Sequence, residues 1–378
     1  MRKLKANGNE LIALAAEDAG CTFFAGYPIT PSSEVMSILS KRFPLIERKF
    51  IQMEDEIGSI CAAIGASLTG KRSMTNTSGP GMSLKAEQIG QAHMAEIPLV
   101  IVNVMRGGPA TGLPTRTSQG DVLQSRAPTH GDVKTIVLAP STTSECYTET
   151  VRAFNLAERF MQPVILLSDE TLAHTSRDVL IPDLSEIQKT LVTRRVNYLS
   201  DYQPCDVKDD EPAILNPFFT GKPYHITGLF HDKTDFPTEK PDLCQQLIDR
   251  QFRKVDNHLR DIEKVEKYRY DDADYLIVCY GSVYLSARDA ADTLRKEGLH
   301  VGIFCPKTLW PSPVKRLEDA SKKFDASNIL VVEMNKGQYL REVERAMGKR
   351  LPFLSKVNGR LFEPPEIMNK IREMHHGV

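Results

Sequence analysis

Short β-forming runs alternate with longer helical patterns along this chain, and that alternation restricts the possible folds more than any single motif. CTFFAGYP leads into a helical pattern from Ser32, and IPLVIVNVM, TIVLAP and PVILLSD, which ends at Asp169, follow in the same way. Parallel strands joined by crossover helices have this signature. The expected class is therefore α/β, with active groups in loops at the carboxyl ends of the strands.

The alternation breaks and then resumes. From about residue 175 to residue 240 the periodicity fades into Pro, Asp, Lys and aromatic residues, as in NPFFTGKPYHITGLFHDKTDFPTEKP. So long an irregular stretch is a linker or an arm, and Phe218, Phe219, Tyr224 and Phe230 favour an arm packed on another subunit over a solvated linker. A charged helical pattern, PDLCQQLIDRQFRKVDNHLRDIEKVEKYRY, leads to a second α/β series containing YLIVCYGS, HVGIFCP and NILVVEMNKGQ. The 378 residues are accordingly divided into an α/β domain at 1–200, an irregular arm and linker helix at 201–270, and a second α/β domain at 271–378.

Charge and cysteine spacing narrow the function. Lys plus Arg (48) nearly balance Asp plus Glu (49), with no long basic run for a nucleic-acid backbone or an anionic membrane. The start, MRKLKANGNELIALAAEDAG, carries Glu10, Glu17 and Asp18 where a signal peptide needs an unbroken apolar core. With no apolar span of membrane length either, the expected location is the cytoplasm. The 7 cysteines include no CxxC pair, which argues against a cluster or zinc site within the chain, and no metal site is assigned. Cys279 and Cys305, in apolar runs, read as reduced core thiols.

Four loops carry candidate chemistry. YPITPSSE (27–34) follows a strand and opens a helix, with Thr30 expected as N-cap and Pro31 at the first helical position. QMEDEIGSICAAIGAS (52–67) puts Glu54, Asp55 and Glu56 at the start of a helix lined by Gly58, Ala62, Gly65 and Ala66, small enough to admit another backbone or a flat ring. MTNTSGPGMSLKAEQIG (74–90) is a strand end, a Gly-Pro-Gly turn and a helix, but it matches neither GxGxxG nor GxxxxGK[ST], so a nucleotide reading is rejected. MRGGPATGLPTRTSQGDV (105–122) holds Arg106, Arg116 and Asp121, and a guanidinium there either clamps a carboxylate or pairs with a neighbouring acid.

Taken together and in this order, YPITPSSE, MEDEIGS, NTSGPG and RGGPATGLPTRTSQGD resemble the alpha subunit of 2-oxo acid:ferredoxin oxidoreductases, most closely of the 2-oxoglutarate type. TLWPSP (308–313) and VVEMNKGQ (331–338) extend the resemblance through the second domain. It implies a first domain like the pyrimidine-binding module of thiamine enzymes and a second like the carboxy-terminal domain of transketolase. By resemblance Glu56 is the acid that bonds the aminopyrimidine of thiamine diphosphate, with Glu54 as rival. Thr30 and Arg106 contact the substrate, with Arg116 as alternative to Arg106, and Tyr27, Pro28, Ser78 and Gly79 complete the cofactor contacts. The implied reaction takes a 2-oxo acid and coenzyme A to an acyl-CoA, succinyl-CoA for 2-oxoglutarate, releases carbon dioxide, and passes electrons to ferredoxin, with the carbanion chemistry supplied by the cofactor. The chain has no GDG with a following Asn for a Mg²⁺-bound diphosphate, and no CxxC set. Mg²⁺, the rest of the cofactor site and a [4Fe-4S] cluster are thus expected on a beta subunit, beside a separate gamma subunit and a ferredoxin-like delta subunit. A branched-chain 2-oxo acid enzyme remains an alternative at this point, as does a non-catalytic scaffold subunit. A self-contained NAD dehydrogenase is the poorest reading, because no strand is followed by GxGxxG.

Overall fold

The structure is a computed structural model that describes residues 1–377. In the first part of the chain the strands are β1 (Arg2–Ala6), β2 (Phe23–Gly26), β3 (Lys49–Gln52), β4 (Ser73–Thr77), β5 (Leu99–Met105), β6 (Ile136–Leu138), β7 (Pro163–Asp169) and β8 (Arg177–Ile181). In the second they are β9 (Val265–Tyr268), β10 (Tyr275–Val278), β11 (Val301–Pro306), β12 (Thr308–Trp310), β13 (Ile329–Glu333) and β14 (Phe353–Ser355).

The larger sheet has 7 strands in the order β12-β6-β7-β5-β4-β2-β3. All its pairings are parallel except that of β12 with β6. β4, β5 and β7 are buried along their whole length, as strands covered on both faces must be. On one face the helices Gly8–Asp18 and Thr143–Phe160 pack through Leu11, Ile12, Tyr147 and Phe154. The first of these helices starts at a capping box in which Asn7 and Glu10 satisfy each other's backbone N–H groups, and β1 before it pairs antiparallel with β8. Glu10, Glu17 and Asp18 thus belong to a helix of the first domain.

The smaller sheet has 5 strands in the order β14-β13-β10-β11-β9, with β9 antiparallel to β11. Two strands cross the division made from the sequence. β9 joins the second sheet although it lies before residue 271, and β12, from the TLWPSP motif, leaves its own neighbours to complete the first sheet. The second unit is therefore stitched to the first: Ile101, Ile165 and Leu167 share one core with Tyr280, Trp310 and Tyr339.

Two local expectations need correction. Regular structure continues past residue 175 as β8 and the helix Leu184–Thr190, so the irregular segment starts only at residue 191. That segment also packs on its own chain. Ala213 and Leu215 enter the shared core, Arg194 pairs with Glu158, and Tyr224 packs on the same core with Phe218 tilted against its ring, while Phe219, 95% exposed, Phe230 and Phe236 stay uncovered. The arm is held because Glu96, buried, accepts from Arg250, Lys254 and the Ala213 N–H.

Candidate active site

β5, β4, β2 and β3 are consecutive neighbours in the sheet, and the four candidate motifs leave their carboxyl ends in turn. The parallel arrangement alone brings together segments separated by up to the distance from Tyr27 to Asp121 in sequence. This is the edge on which open α/β sheets bind ligands.

On the loop after β3, Asp55 is the N-cap of the helix Glu56–Leu68, its carboxylate accepting from the Gly58 N–H at 2.6 Å. Glu56 turns inward and is 4% exposed, whereas Glu54 is exposed to solvent. Burial thus separates the two rivals. No side-chain donor reaches the Glu56 carboxylate among the described residues. Its neighbour is backbone: a Cβ placed on Gly81 would lie 2.4 Å from Glu56 Oε1 and 2.2 Å from Thr77 Oγ1. Only glycine allows this approach, and the residue before the turn's proline, Gly79, has φ +40°, which again favours glycine.

Beneath Glu56 lies a residue that the motif reading passed over. Lys85 is fully buried, and its Nζ donates to the Glu56 carbonyl at 3.0 Å, to Ser59 Oγ at 2.5 Å and to Thr75 Oγ1 at 3.0 Å. Burial brings its pKa down to about 7, opposed by the nearby Glu56 carboxylate. The signal for it was a lysine inside a segment otherwise destined for the interior, MTNTSGPGMSLK.

Arg106, at the end of β5, is also buried, and its Nη1 donates to the Thr30 carbonyl at 2.7 Å. Burial pulls its pKa down while Asp121 and Glu56 work against that effect. The structure thus joins Thr30 and Arg106, but through the Thr30 backbone. Thr30 is not an N-cap: the helix is Ser33–Arg42, and Ser32 precedes it without a side-chain cap. The Pro31 and Ser32 carbonyls accept from Asn9 and Asn76, and the helix begins only after them. Arg116 is exposed, its side chain against Gly359, although its carbonyl accepts from the Gly107 N–H beside Arg106. Asp121 sits across from Arg106, its pKa raised by burial and drawn back by hydrogen bonds from Asn103 and the Gly79 N–H.

The loop after β5 is fastened to the second unit. The Gln119 side chain donates to the Tyr280 carbonyl and accepts from the Met334 N–H, and Asn335 donates to the Gln119 carbonyl. Between the units opens a cleft of about 630 Å³ lined by Gly79, Arg106, Asp121, Asn335 and Gln338. Thr77 Oγ1, Ser78 Oγ and Arg106 Nε are buried at this edge without hydrogen-bond partners. Unpaired polar atoms in a dry site are costly unless a ligand meets them. Tyr27 and Pro28 stand exposed on the loop after β2.

The family model for pyruvate flavodoxin/ferredoxin oxidoreductase, thiamine-diphosphate-binding, matches residues 14–242, and that for pyruvate:ferredoxin oxidoreductase core domain II matches 273–367. The chain belongs to this oxidoreductase family. Within the family it is 41% identical to the 2-oxoglutarate synthase subunit KorA of Methanothermobacter marburgensis, covering 97% of this chain and 98% of that one. It is 42% identical to the KorA of Archaeoglobus fulgidus over 89% and 90% of the two chains. The ketoisovalerate oxidoreductase subunit VorB of Methanothermobacter marburgensis is 33% identical over 97% and 96%.

Among solved structures, the 2-oxoglutarate:ferredoxin oxidoreductase of Magnetococcus marinus, with 2-oxoglutarate, coenzyme A and succinyl-CoA bound, superimposes with a TM-score of 0.94 at 33% identity. This chain is covered over 98% of its length and spans 65% of that one. A split-gene transketolase, at a TM-score of 0.55 and 13% identity, shares the fold. The two sheets are thus those of an oxidoreductase subunit with a thiamine-diphosphate-binding first unit. No helix among the described residues is long and apolar enough to cross a membrane.

Proposed function

We propose that this chain is the alpha subunit of a heteromeric, thiamine-diphosphate-dependent 2-oxoglutarate:ferredoxin oxidoreductase, converting 2-oxoglutarate and coenzyme A to succinyl-CoA and carbon dioxide while ferredoxin takes the electrons. The observation that carries the reading is Glu56, a buried carboxylate without a side-chain donor, set against Gly81 among the unpaired hydroxyls of Thr77 and Ser78. The residues fit the cofactor, which supplies the carbanion chemistry when bound. Glu56 would hold the cofactor by a hydrogen bond between its carboxylate and a ring nitrogen of the aminopyrimidine. Lys85 fixes the backbone of Glu56 from below, and Ser78 and Gly79 offer polar and close backbone contact. Arg106 presents Nε to the 2-oxo carboxylate, and the Thr30 carbonyl holds the guanidinium while the nearby Asp121 charge favours its protonated form.

The outer side of the helix Glu56–Leu68 explains why the chain does not act alone. Ile57 and Cys61 are exposed there, and a Cβ on Gly65 would meet nothing within 4 Å. This small, apolar face is suited to close approach by a beta subunit that brings Mg²⁺, the diphosphate site and the [4Fe-4S] cluster. Gamma and delta subunits complete the cytoplasmic complex.

The test is to capture the tagged chain with its partners anaerobically and follow coenzyme-A-dependent viologen reduction over a panel of 2-oxo acids. The expected result is a clear preference for 2-oxoglutarate. Faster turnover of 2-oxoisovalerate would keep the family and overturn the substrate, and a complex without thiamine diphosphate or activity would leave a scaffold subunit.

A further inference from the structure

A second constellation lies in the arm, remote in sequence from the four motifs. The segment from His231 to Pro237 doubles back on itself, closed by an antiparallel bridge between those two residues and by an Asp235 N–H to Asp232 carbonyl bond of 3.0 Å. The Asp232 side chain braces the turn by accepting from the Thr234 N–H and hydroxyl. Cys205 is tied to the same turn through its N–H, which donates to the Lys233 carbonyl at 3.0 Å. As a result the ligating atoms of Cys205, His231 and Asp235 all lie within 4.8 Å of one another.

Hydrogen bonding leaves this group unsatisfied. Asp235 is 1% exposed, yet its Oδ1 has no hydrogen-bond partner, and His231 Nδ1 at 3.6 Å is too far to serve as one. Arg250, the cation at the rim, is already committed to Glu96 and the Glu211 carbonyl. The Leu229 carbonyl, 2.9 Å from His231 Nδ1, accepts from that nitrogen and orients the ring; a metal held through Nε2 keeps this bond, and one held through Nδ1, which faces Asp235 at 3.6 Å, replaces it. A buried carboxyl, a thiol and an imidazole with a carbonyl-oriented ring form a donor set lacking only a cation.

We propose that Cys205, His231 and Asp235 bind a divalent metal ion of zinc type that pins the two ends of the arm, around Cys205 and around the His231–Pro237 turn, to each other. Thiolate and imidazole select a borderline-soft ion over Mg²⁺ or Ca²⁺. One thiolate and one carboxylate neutralise its charge, so the assembled site is stable out of water. Zinc bonds of about 2.0–2.3 Å need donors somewhat closer than the present spacing, a contraction of about 1 Å that side-chain rotation supplies. A water entering from the adjoining cleft of about 360 Å³, lined by Asp206 and Leu247, fills the fourth position. Cysteine spacing concealed this site because its three donors are of three different types and two of them stand 26 and 30 positions after the first. The proposal does not rest on the catalytic reading.

The experiment uses the intact complex, purified anaerobically, with zinc and iron counted separately by plasma mass spectrometry and the zinc environment read by X-ray absorption at the zinc edge. The expected result is about one zinc per copy of this chain with one sulfur among its ligands. In the His231→Ala variant zinc should drop at least about tenfold and the arm should be cut faster by protease, while viologen reduction per intact complex changes less than about twofold. Zinc content unchanged in that variant, a shell without sulfur, or a wild-type complex that takes up no zinc on anaerobic incubation with equimolar Zn²⁺ would overturn the proposal. If the variant does not fold, the wild-type absorption spectrum and uptake decide the matter.

Discussion

Glu56 and Glu96 are both shut away from water, 4% and 1% exposed, but the chain treats them in opposite ways. Around Glu96 it assembles Arg250 Nη2, Lys254 Nζ at 2.7 Å and the Ala213 N–H, so that nothing is left over. Around Glu56 it places glycine backbone and hydroxyls without partners. A saturated buried carboxylate holds structure together. One left open in an otherwise well-packed interior is held ready for something that binds. The same contrast separates the two arginines of the loop after β5, since Arg106 is buried with Nε free and Arg116 lies exposed.

The contrast is most exposed to test at the two glutamates. Glu56→Gln should lower turnover of the assembled complex by about 10²–10⁴, the usual weight of general acid–base catalysis, with the melting temperature nearly unmoved because no ion pair is lost. Glu96→Gln should do the reverse. Leaving Arg250 and Lys254 with an uncompensated buried charge costs about 3–5 kcal/mol of stability, read as a lower melting temperature, while turnover of the complex that remains folded is retained. If both variants lost activity and stability together, the distinction between the two sites would fail.

Acid titration sharpens the comparison. Burial raises the Glu96 carboxyl, but Arg250 and Lys254 prevail and hold it at about 2 against an ordinary 4.5. Burial, then the charge of Lys254, brings His93 from 6.5 down to about 3. In both cases the unfolded chain binds the proton at a higher pH than the folded one. Stability should therefore fall as pH drops from about 6.5, and more steeply from about 4.5 toward 2. Denaturation followed across this range should show Glu96→Gln without the added steepness below about 4.5.

The smallest expected effect concerns the arginines. Arg106→Lys, which gives up a planar fork at a buried site, should raise the KM for 2-oxoglutarate by about tenfold, and Arg116→Lys should leave it unchanged. Equal effects on KM would mean that the loop closes on substrate in a way that recruits both.

The strands β2, β5, β6 and β7, the second α/β series and all four candidate loops were legible in the sequence because continuous apolar runs and Gly-Pro turns are local signals. Glu56 and Glu54 stood as rivals in the sequence, because which acid at the start of a helix faces inward depends on what packs against it; in the fold Glu56 is buried and Glu54 exposed. What could not be read depends on distant partners. Lys85 is functional in appearance only once Ser59 and Thr75 are seen to meet it, and β12 looks like part of its own domain until β6 accepts it. Thr30 and Pro31 carry a perfect capping pattern, but Asn9 and Asn76 claim the neighbouring carbonyls from elsewhere in the fold. The arm's attachment likewise hangs on Glu96, more than a hundred residues before Arg250 and Lys254.

The most direct measurement is the rate at which the thiazolium carbon of thiamine diphosphate, bound in the assembled complex, exchanges its proton for deuterium, compared between the wild type and Glu56→Gln by acid quench and NMR. With the cofactor bound equally in both, exchange should slow by at least about 10² in the variant, because the carboxyl that relays the proton through the aminopyrimidine is gone. Exchange at the wild-type rate would contradict the assignment of Glu56 and turn the open carboxylate into a structural feature.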